Sequence, residues 1–271
     1  MLQAPVTEIF ENLKRFFVFA EPSLALQEYV EFFAESSAVQ KEAGDSTNVF
    51  ACRMFPSYTP TFFINLTGDY RLQLDQQRFH IPAKQDVLLL RDTSVQRFNS
   101  SADNIFTVKF HPGILRQLFD VEPAQLAGSL LALDTLLPKA LLQAIKKADG
   151  FSDRVTLMSN YLLEKTHGCS ADFNWQTVGG ALHDPQWLAG QTPVAEIAAN
   201  LHISSKTLNR YFVKELGVSP KKYFSVLRFR KALYAYLHSR HTFHPFDYGY
   251  YDHSHFSREV LQFTGKRLKQ Q

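Results

Sequence analysis

The sequence predicts an α+β protein, with a β-rich N-terminal domain flanked by helices and an all-α C-terminal domain. Two observations predict this class. Between residues 48 and 111, short runs of β-branched and aromatic residues alternate with turn residues, which is typical of a small β-sandwich or barrel. After residue 111, the apolar residues return to a spacing of three or four, which indicates helices. A chain of 271 residues also suits two domains.

The positions of the elements follow from these patterns. We predict strands at 49–55, 61–66, 70–74, 79–81, 87–90 and 105–110. Ahead of the C-terminal domain we predict helices at 21–36, 112–119, 130–148, 155–165 and 174–182. The expected domains are a β-rich domain at 1–125, a helical linker and dimerisation region at 126–185, and the C-terminal domain at 186–271.

The composition is that of an ordinary globular protein, with 45% apolar and 20% charged residues. The sequence has no uninterrupted apolar run of about 18 residues, so we expect no transmembrane helix and no membrane partner. The N-terminus lacks the basic segment and apolar run of a signal peptide. Cys52 and Cys169 lack the spacing of metal ligands, so we expect free thiols in a cytoplasmic protein.

The charge is distributed unevenly along the chain. Residues 192–271 hold 13 Lys+Arg and 5 Asp+Glu, a net charge of +8. The remaining residues hold 16 basic and 21 acidic side chains, a net charge of −5. A basic end on a mildly acidic body indicates a polyanionic partner. From charge alone, a solvated basic face is the alternative interpretation.

The C-terminal domain begins with the pattern of two short helices joined by a tight turn. Pro193 suits the first helical position after Thr192. Ser204 can cap a second helix at 205–216, and Gly217 can end it. Two helices joined in this way form a helix-turn-helix unit. The outward face of the second helix would carry side chains that can hydrogen-bond base edges, namely Ser205, Lys206, Asn209 and Arg210.

A second unit follows 48 positions later. Between the units, a helix at 220–238 would span about 28 Å, a suitable spacer for two helices that occupy major grooves about 34 Å apart. Asp252 can cap a further helix at 253–263, and Gly265 can end it. Pro245 falls where the first helix of this second unit should lie, so we expect that helix to be stunted.

These residues resemble the DNA-binding domain of the AraC/XylS family of transcription regulators. The matching segments are VAEIA (194–198), SKTLNRYF (205–212), GVSP (217–220), RxxxA (228–232), YGYYDHSHFSRE (248–259) and FTG (263–265). The resemblance implies double-stranded DNA as a partner, with contacts from Lys206, Asn209 and Arg210 in the first unit and from His253, Ser254, Ser257 and Arg258 in the second. The family usually has Gly where His202 stands, at a site expected to need a positive φ.

Members of this family commonly pair such a module with a β-rich sensing domain, often cupin-like, and the region 48–111 is similar in kind. His80 and His111 have no partner at metal-ligand spacing, so we expect no metal site and no cofactor. Core packing explains most of the many aromatic residues. Some of them could instead line a pocket for a small-molecule effector, with Arg53, Arg71 or Arg97 binding a polar group.

The expected function is therefore a DNA-binding transcription regulator, controlled by a small effector or a partner, and not an enzyme. Nucleotide-binding, metalloprotease and serine-hydrolase motifs are absent from the sequence. Two alternatives stay open: a regulator that acts through protein contacts without a ligand, and an enzyme tethered to DNA, in which Cys52 would be the nucleophile. RNA polymerase is a candidate partner of a regulator.

We also expect a homodimer formed through residues 130–166. The apolar residues there lie on more than one side of a predicted helix, and they are Leu130, Leu131, Leu133, Leu136, Leu137, Leu141, Leu142 and Ile145. Those not packed against the β-rich domain would form an exposed apolar patch, which usually marks an interface. The alternative is that this helix is buried between the two domains of one chain.

Overall fold

The computed structural model of the chain describes residues 17–36, 51–98, 104–167, 173–184, 187, 192–265 and 267–268. In these parts a β-rich N-terminal region precedes an all-helical C-terminal region, which confirms the predicted α+β class. Among the helices described, none is both long enough and apolar enough to cross a membrane.

The described strands form two antiparallel sheets. They are β1 Phe17–Ala20, β2 Val30–Ser36, β3 Ala51–Met54, β4 Pro60–Asn65, β5 Tyr70–Leu74, β6 Gln77–Ile81, β7 Val87–Leu90, β8 Val95–Phe98, β9 Ile105–Phe110 and β10 Leu130–Ala132. The larger sheet has the order β1-β2-β9-β4-β7-β10, and the smaller sheet has the order β3-β8-β5-β6. β5, β7 and β9 have the predicted bounds, whereas β8 has no counterpart among the predicted strands.

The central strands of the larger sheet are buried on both faces. All six residues of β4 are buried, as are all six of β9. Successive side chains of a strand point to opposite faces, so Phe63 joins the core shared with Leu72 of the smaller sheet. Phe62 points the other way, and its ring lies 4.7 Å from that of Phe110 and 5.2 Å from that of Phe119. Helices must therefore cover the outer face of the larger sheet.

The predicted helix at 21–36 is wrong. Leu24–Leu26 form a single 3-10 turn, and Val30–Ser36 form β2, which pairs with β1 on one side and β9 on the other. The ring of Phe33 stacks on that of Phe106 at 6.2 Å. A short apolar run fits a helix or a buried strand equally well by its pattern. Here the segment is a strand because it pairs with a neighbouring strand on each side.

The predicted helix at 130–148 is wrong in its first half. Leu130–Ala132 form β10, Leu133–Thr135 form a 3-10 turn, and helix α2, Lys139–Lys147, begins only after Pro138. β10 pairs with β7 and forms one edge of the larger sheet. A proline cannot lie inside a helix, because it lacks an N–H and its ring clashes with the preceding turn. Pro138 therefore separates the two parts.

The leucines of this segment pack inside the chain. Leu133, Leu137 and Leu142 are at most 5% exposed and belong to the core beneath the larger sheet. None of the large apolar residues between 130 and 166, all of which the structure describes, is exposed. The exposed apolar patch expected for a dimer interface is therefore not found in this region: four of the eight apolar residues named for it are buried, and the other four are half-buried, namely Leu130, Leu131, Leu136 and Leu141.

The remaining helices complete both regions. They are α1 Ile114–Phe119, α3 Phe151–Thr166, α4 Phe173–His183, α5 Val194–Asn200, α6 Ser205–Leu216, α7 Pro220–His238 and α8 His253–Thr264. Helices α1, α2 and α3 supply the apolar residues that cover the larger sheet, whereas α4 packs against α6. The bounds of α6 and α7 agree with the prediction, and α8 extends one residue beyond it.

A buried ion pair lies on the larger sheet. Nζ of Lys109, on β9, lies 3.0 Å from Oε2 of Glu31, on β2, and these side chains are 1% and 5% exposed. The ammonium group also lies 5.3 Å from the ring centre of Phe32. Charged groups removed from water are tolerated only when they are paired, so each of these two residues depends on the other.

Candidate nucleic-acid interface

Helices α5 and α6 form the first helix-turn-helix unit. Ala198 of α5 and Leu208 of α6 are at most 1% exposed, and the small side chain of Ala198 lets the helices cross closely. Oγ of Ser204 caps α6 by accepting a hydrogen bond from the backbone N–H of Thr207 at 3.1 Å. Gly217 ends the helix in the left-handed conformation, with a φ of 73°. The predicted cap and end of α6 are therefore confirmed. Pro193, predicted as the first helical residue after Thr192, is instead the N-cap of α5, which begins at Val194 without a side-chain cap.

The turn of this unit contains His202 in the left-handed conformation, with a φ of 55°, as its position in the sequence predicted. Its backbone N–H donates to the carbonyl of Ala199 at 2.9 Å, and the next N–H, of Ile203, donates to that of Ala198 at 3.0 Å. The turn is thus fixed by its backbone hydrogen bonds. A residue with a Cβ atom pays about 1–2 kcal/mol for this conformation.

We expect His202→Gly to raise the free energy of unfolding by about 0.5–1 kcal/mol, because relief of the left-handed strain outweighs the greater freedom of glycine in the unfolded chain. Urea unfolding of the full chain measures the change. The matched control is His202→Ala, which keeps a Cβ and should give no gain. Equal stability of the two variants would contradict the explanation.

The surface of α6 that carries the predicted DNA-contacting residues is accessible. We call this surface, and the corresponding surface of the second helix of the other unit, a reading face, and the helix that carries it a reading helix. The residues predicted to contact DNA in this unit lie within its first two turns and are all exposed, namely Ser205, Lys206, Asn209 and Arg210. The guanidinium of Arg210 lies 5.5 Å from the ring centre of Tyr211. A cleft of about 650 Å³ separates this helix from Glu122 and Ala124 of the N-terminal region. The structure thus brings the four predicted residues of the first unit together.

The second unit lacks a regular first helix. In its place, Pro245–Tyr248 form a 3-10 turn that ends at Gly249, with a φ of 73°. This agrees with the stunted helix expected from Pro245. Helix α8 follows, capped by Asp252, whose Oδ1 accepts a hydrogen bond from the backbone N–H of His255 at 2.6 Å.

The reading face of α8 carries the remaining predicted residues. His253, Ser254 and Arg258 are exposed, whereas Ser257 is half-buried. Nε of Arg258 donates to the carbonyl of Ser254 at 3.4 Å, so this side chain lies back along the helix. The imidazole of His253 lies 6.1 Å from the ring of Phe243. This face is less basic than that of α6.

A buried carboxylate holds α8 against α7. Oε1 of Glu259 accepts hydrogen bonds from Oγ of Ser225 and Nη2 of Arg228, both at 2.8 Å, and Oε2 accepts one from the hydroxyl of Tyr250. Burial raises the pKa of that hydroxyl, and its hydrogen bond to the Glu259 carboxylate raises it further. The sequence analysis did not predict this network. A Glu among the apolar residues of one helix, with an Arg on the preceding helix, is the pattern that could have indicated a buried ion pair.

The three arginines considered for an effector pocket lie in three different surroundings. Arg97 is 2% exposed and donates from Nη2 to Oγ of Ser36 at 2.9 Å. Arg71 is exposed on β5, and Arg53 contacts the C-terminal region. The three side chains therefore do not converge on one site among the described residues, because one packs in the core, one faces solvent and one joins the two regions. Their role in binding an effector stays a prediction.

The candidate metal and thiol residues hold no assembled site among the described residues. His80 lies 3.8 Å from Asp69 at the surface, and the backbone N–H of His111 donates to the carbonyl of Tyr29. In the described residues, no three His, Cys, Asp or Glu side chains are grouped as metal ligands. Cys169 and the side chain of Cys52 lie outside what the structure describes.

Residues 197–270 match the model of a family described as a helix-turn-helix domain. The match spans most of α5, both reading helices and the helix between them. The chain carries an AraC-type helix-turn-helix domain. A domain of this type is the DNA-binding part of a transcription regulator. A search of curated proteins gives no match to the chain.

Solved structures overlap the chain more loosely. ToxT from Vibrio cholerae is 14% identical, with a TM-score of 0.45, and covers 82% of this chain and 96% of its own. The Cupin_2 domain of an XRE family transcriptional regulator from Enterobacter cloacae is 13% identical, with a TM-score of 0.23, and covers 39% and 92%. The AraC-type assignment rests on the family match. The expected cupin-like fold of the N-terminal region agrees with its two antiparallel sheets.

Proposed function

We propose that the chain is a sequence-specific DNA-binding transcription regulator and not an enzyme. One observation carries the proposal: two capped helices, α6 and α8, present polar and basic side chains on their first turns and pack their apolar faces against α7. Arg side chains can read guanine edges, and Asn can read adenine. The proposed DNA-contacting residues are Ser205, Lys206, Asn209, Arg210, His253, Ser254, Ser257 and Arg258.

Helix α7 suits the geometry that this function needs. Its 19 residues span about 28 Å, and reading helices in successive major grooves lie about 34 Å apart. Phe224 and Phe229 are at most 4% exposed and anchor α7 in the core of the domain. A spacer that is packed along its length keeps the two reading helices at a fixed separation.

We expect the full chain to select a preferred duplex from a randomised pool and to bind it with an affinity that falls steeply with salt. A protein that makes about 6–10 phosphate contacts loses about 10³–10⁵ in affinity between 50 and 200 mM salt, because bound counterions are released. Titration of a labelled duplex at several salt concentrations measures the slope. A flat salt profile, or no selected sequence, would count against the function.

The first unit should contribute more of the sequence specificity than the second. Only α6 is supported by a regular first helix, and its face holds two basic residues. We expect Lys206→Ala or Arg210→Ala to weaken specific binding by about 1–3 kcal/mol, and Arg258→Ala to weaken it less. Competition between the preferred and a scrambled duplex measures the loss. The matched control is Lys221→Ala, an exposed lysine outside both reading faces; equal losses from Arg210 and Arg258 would refute the ranking.

The N-terminal domain is proposed to control DNA binding through a small effector or a protein partner. Support comes from the direct contact between the two regions. Nη1 of Arg230, on α7, donates to the carbonyl of Pro56 at 3.3 Å, and the ring of Phe55 packs edge-on against that of Phe229 at 6.0 Å. Tyr58 follows in the left-handed conformation, with a φ of 54°. A change in this segment would reach α7 directly.

A thermal-shift screen with a metabolite panel separates the two forms of control, because a ligand that binds the folded chain raises its melting temperature. A regulator that acts through protein contacts alone would show no shift.

We further propose a cytoplasmic location, with a homodimer and RNA polymerase as partners. The buried leucines between 130 and 142, Leu133, Leu137 and Leu142, would not take part in the dimer contact. We also propose the domain bounds 1–125, 126–185 and 186–271, with β10 of the second segment completing the larger sheet of the first.

A further inference from the structure

The C-terminal end of α8 is bonded to the N-terminal region. A helix leaves its last carbonyl groups without partners inside the helix, and these require donors from elsewhere. In α8 two of them find donors across the molecule. The carbonyl of Phe263 accepts a hydrogen bond from Oγ of Ser94 at 2.5 Å. The carbonyl of Thr264 accepts one from Nη1 of Arg53, also at 2.5 Å. Both donors belong to the smaller sheet or to the turn that leads into it.

The donors themselves are held in place. Arg53 lies on β3, and its Nη2 donates to Oε1 of Gln96 on the adjacent strand β8 at 3.3 Å. A cation at the C-terminal end of a helix is favoured by the helix dipole. On the other side of the contact, the ring of Phe263 packs against that of Phe229 at 4.8 Å. The end of α8 is thus fixed between a sheet and the core of its own domain.

The C-terminal end of α6 also rests on the N-terminal region. A Cβ atom built on Gly217 would lie 3.1 Å from Cβ of Pro123. In the last turn of α6, Oε2 of Glu215 lies 3.4 Å from Nε of Arg116, on α1. Both reading helices therefore have their C-terminal ends on the N-terminal region, while the first two turns of each helix carry the residues proposed to contact DNA.

The second unit needs such support more than the first. In the first unit, α5 packs across α6, whereas the second unit has only the 3-10 turn Pro245–Tyr248 in the equivalent place. We propose that Arg53 and Ser94 are positioning residues of α8: by bonding its last carbonyls to the smaller sheet, they set its direction relative to α6. The spacing between DNA half-sites that the chain accepts is then set by the N-terminal domain. This inference rests on the proposed DNA-binding function.

The test uses the full chain and the duplex that it selects from a randomised pool. In a second duplex, one base pair is inserted between the half-sites, which rotates one half-site relative to the other by about 34°. The affinity for the selected duplex divided by the affinity for the longer duplex measures how strictly the chain requires the original spacing. For Arg53→Met combined with Ser94→Ala, we expect this ratio to fall by about fivefold, mostly because binding to the selected duplex weakens. The matched control is Arg78→Met, an exposed arginine on β6 of the same sheet, which should leave the ratio unchanged.

The outcomes are distinct. Arg53→Lys keeps a cationic donor, so its ratio of the two affinities should lie closer to that of the unchanged chain than the ratio of the double variant does. A general loss of stability would not explain that difference. A double variant that loses affinity for both duplexes equally, or keeps the ratio of the unchanged chain, overturns the positioning role. A double variant that binds neither duplex and melts at a lower temperature also overturns it, since the contact then serves folding. If the unchanged chain selects no duplex, the DNA-binding function itself fails.

Discussion

Replacement of Lys109 by methionine is expected to lower the free energy of unfolding by about 3–5 kcal/mol, because removal of one partner leaves a buried charge without compensation. The charge left behind is that of Glu31, 3.0 Å away in the folded chain and almost inaccessible to water. Methionine fills much the same space as the lysine stem, so the loss of packing is small. Equilibrium unfolding in denaturant, followed by circular dichroism, measures the change.

Two further variants isolate the charge effect. Lys139→Met removes an exposed lysine from the start of α2 and should change stability by less than about 0.5 kcal/mol. Glu31→Gln combined with Lys109→Met removes both charges and should recover much of the loss, since the replacement of a whole buried pair is often nearly neutral. If Lys109→Met behaves like Lys139→Met, the pair has no structural importance.

Replacement of Leu137 by glutamate is expected to abolish cooperative folding. Leu137 is 3% exposed, and its backbone N–H donates to the carbonyl of Leu133 at 2.8 Å. A carboxylate at this position would lie in the core beneath the larger sheet, at a cost of about 4 kcal/mol or more. Thermal unfolding and the expressed soluble fraction measure the outcome.

The control for this variant is Ala140→Glu, three positions along. Ala140 is exposed in the first turn of α2, where an acidic side chain is favoured by the helix dipole, so this variant should fold normally. A sedimentation experiment covers the opposite result. If Leu137→Glu converts a dimer of the unchanged chain into a folded monomer, Leu137 lies in an interface and its burial within one chain is incorrect.

The fold was predictable where the sequence itself marks the ends of elements. β5 is enclosed by turn residues, and its bounds agree with the prediction. The apolar runs of β2 and β10 have no such marks, because their strand conformation comes from pairing with β9 and β7. Periodicity alone does not separate a short buried strand from a helix. The conformation of β2 and β10, which the sequence analysis predicted as helix, therefore depends on partner strands that are distant in sequence.

The same distinction applies to the candidate site. Ser204, Gly217 and Asp252 act on residues within four positions of themselves, so both reading helices could be placed from the sequence. The contact of Arg53 with Thr264 joins residues 211 positions apart. No local pattern indicates such a pair, and a basic residue in a strand looked equally suited to binding a ligand.

The strand at Leu130–Ala132 has a practical consequence for anyone who divides the chain. It covers the outer edge of β7, whose four residues are all buried. A fragment cut at residue 125 would lose this cover and expose the backbone donors and acceptors that β7 directs towards β10, along an apolar edge. Open edges of this kind pair with the edges of other chains and lead to aggregation. A fragment that continues to Thr166 keeps the edge closed and also keeps α3, whose Met158 and Leu162 are buried beneath the larger sheet, so it is the one to express.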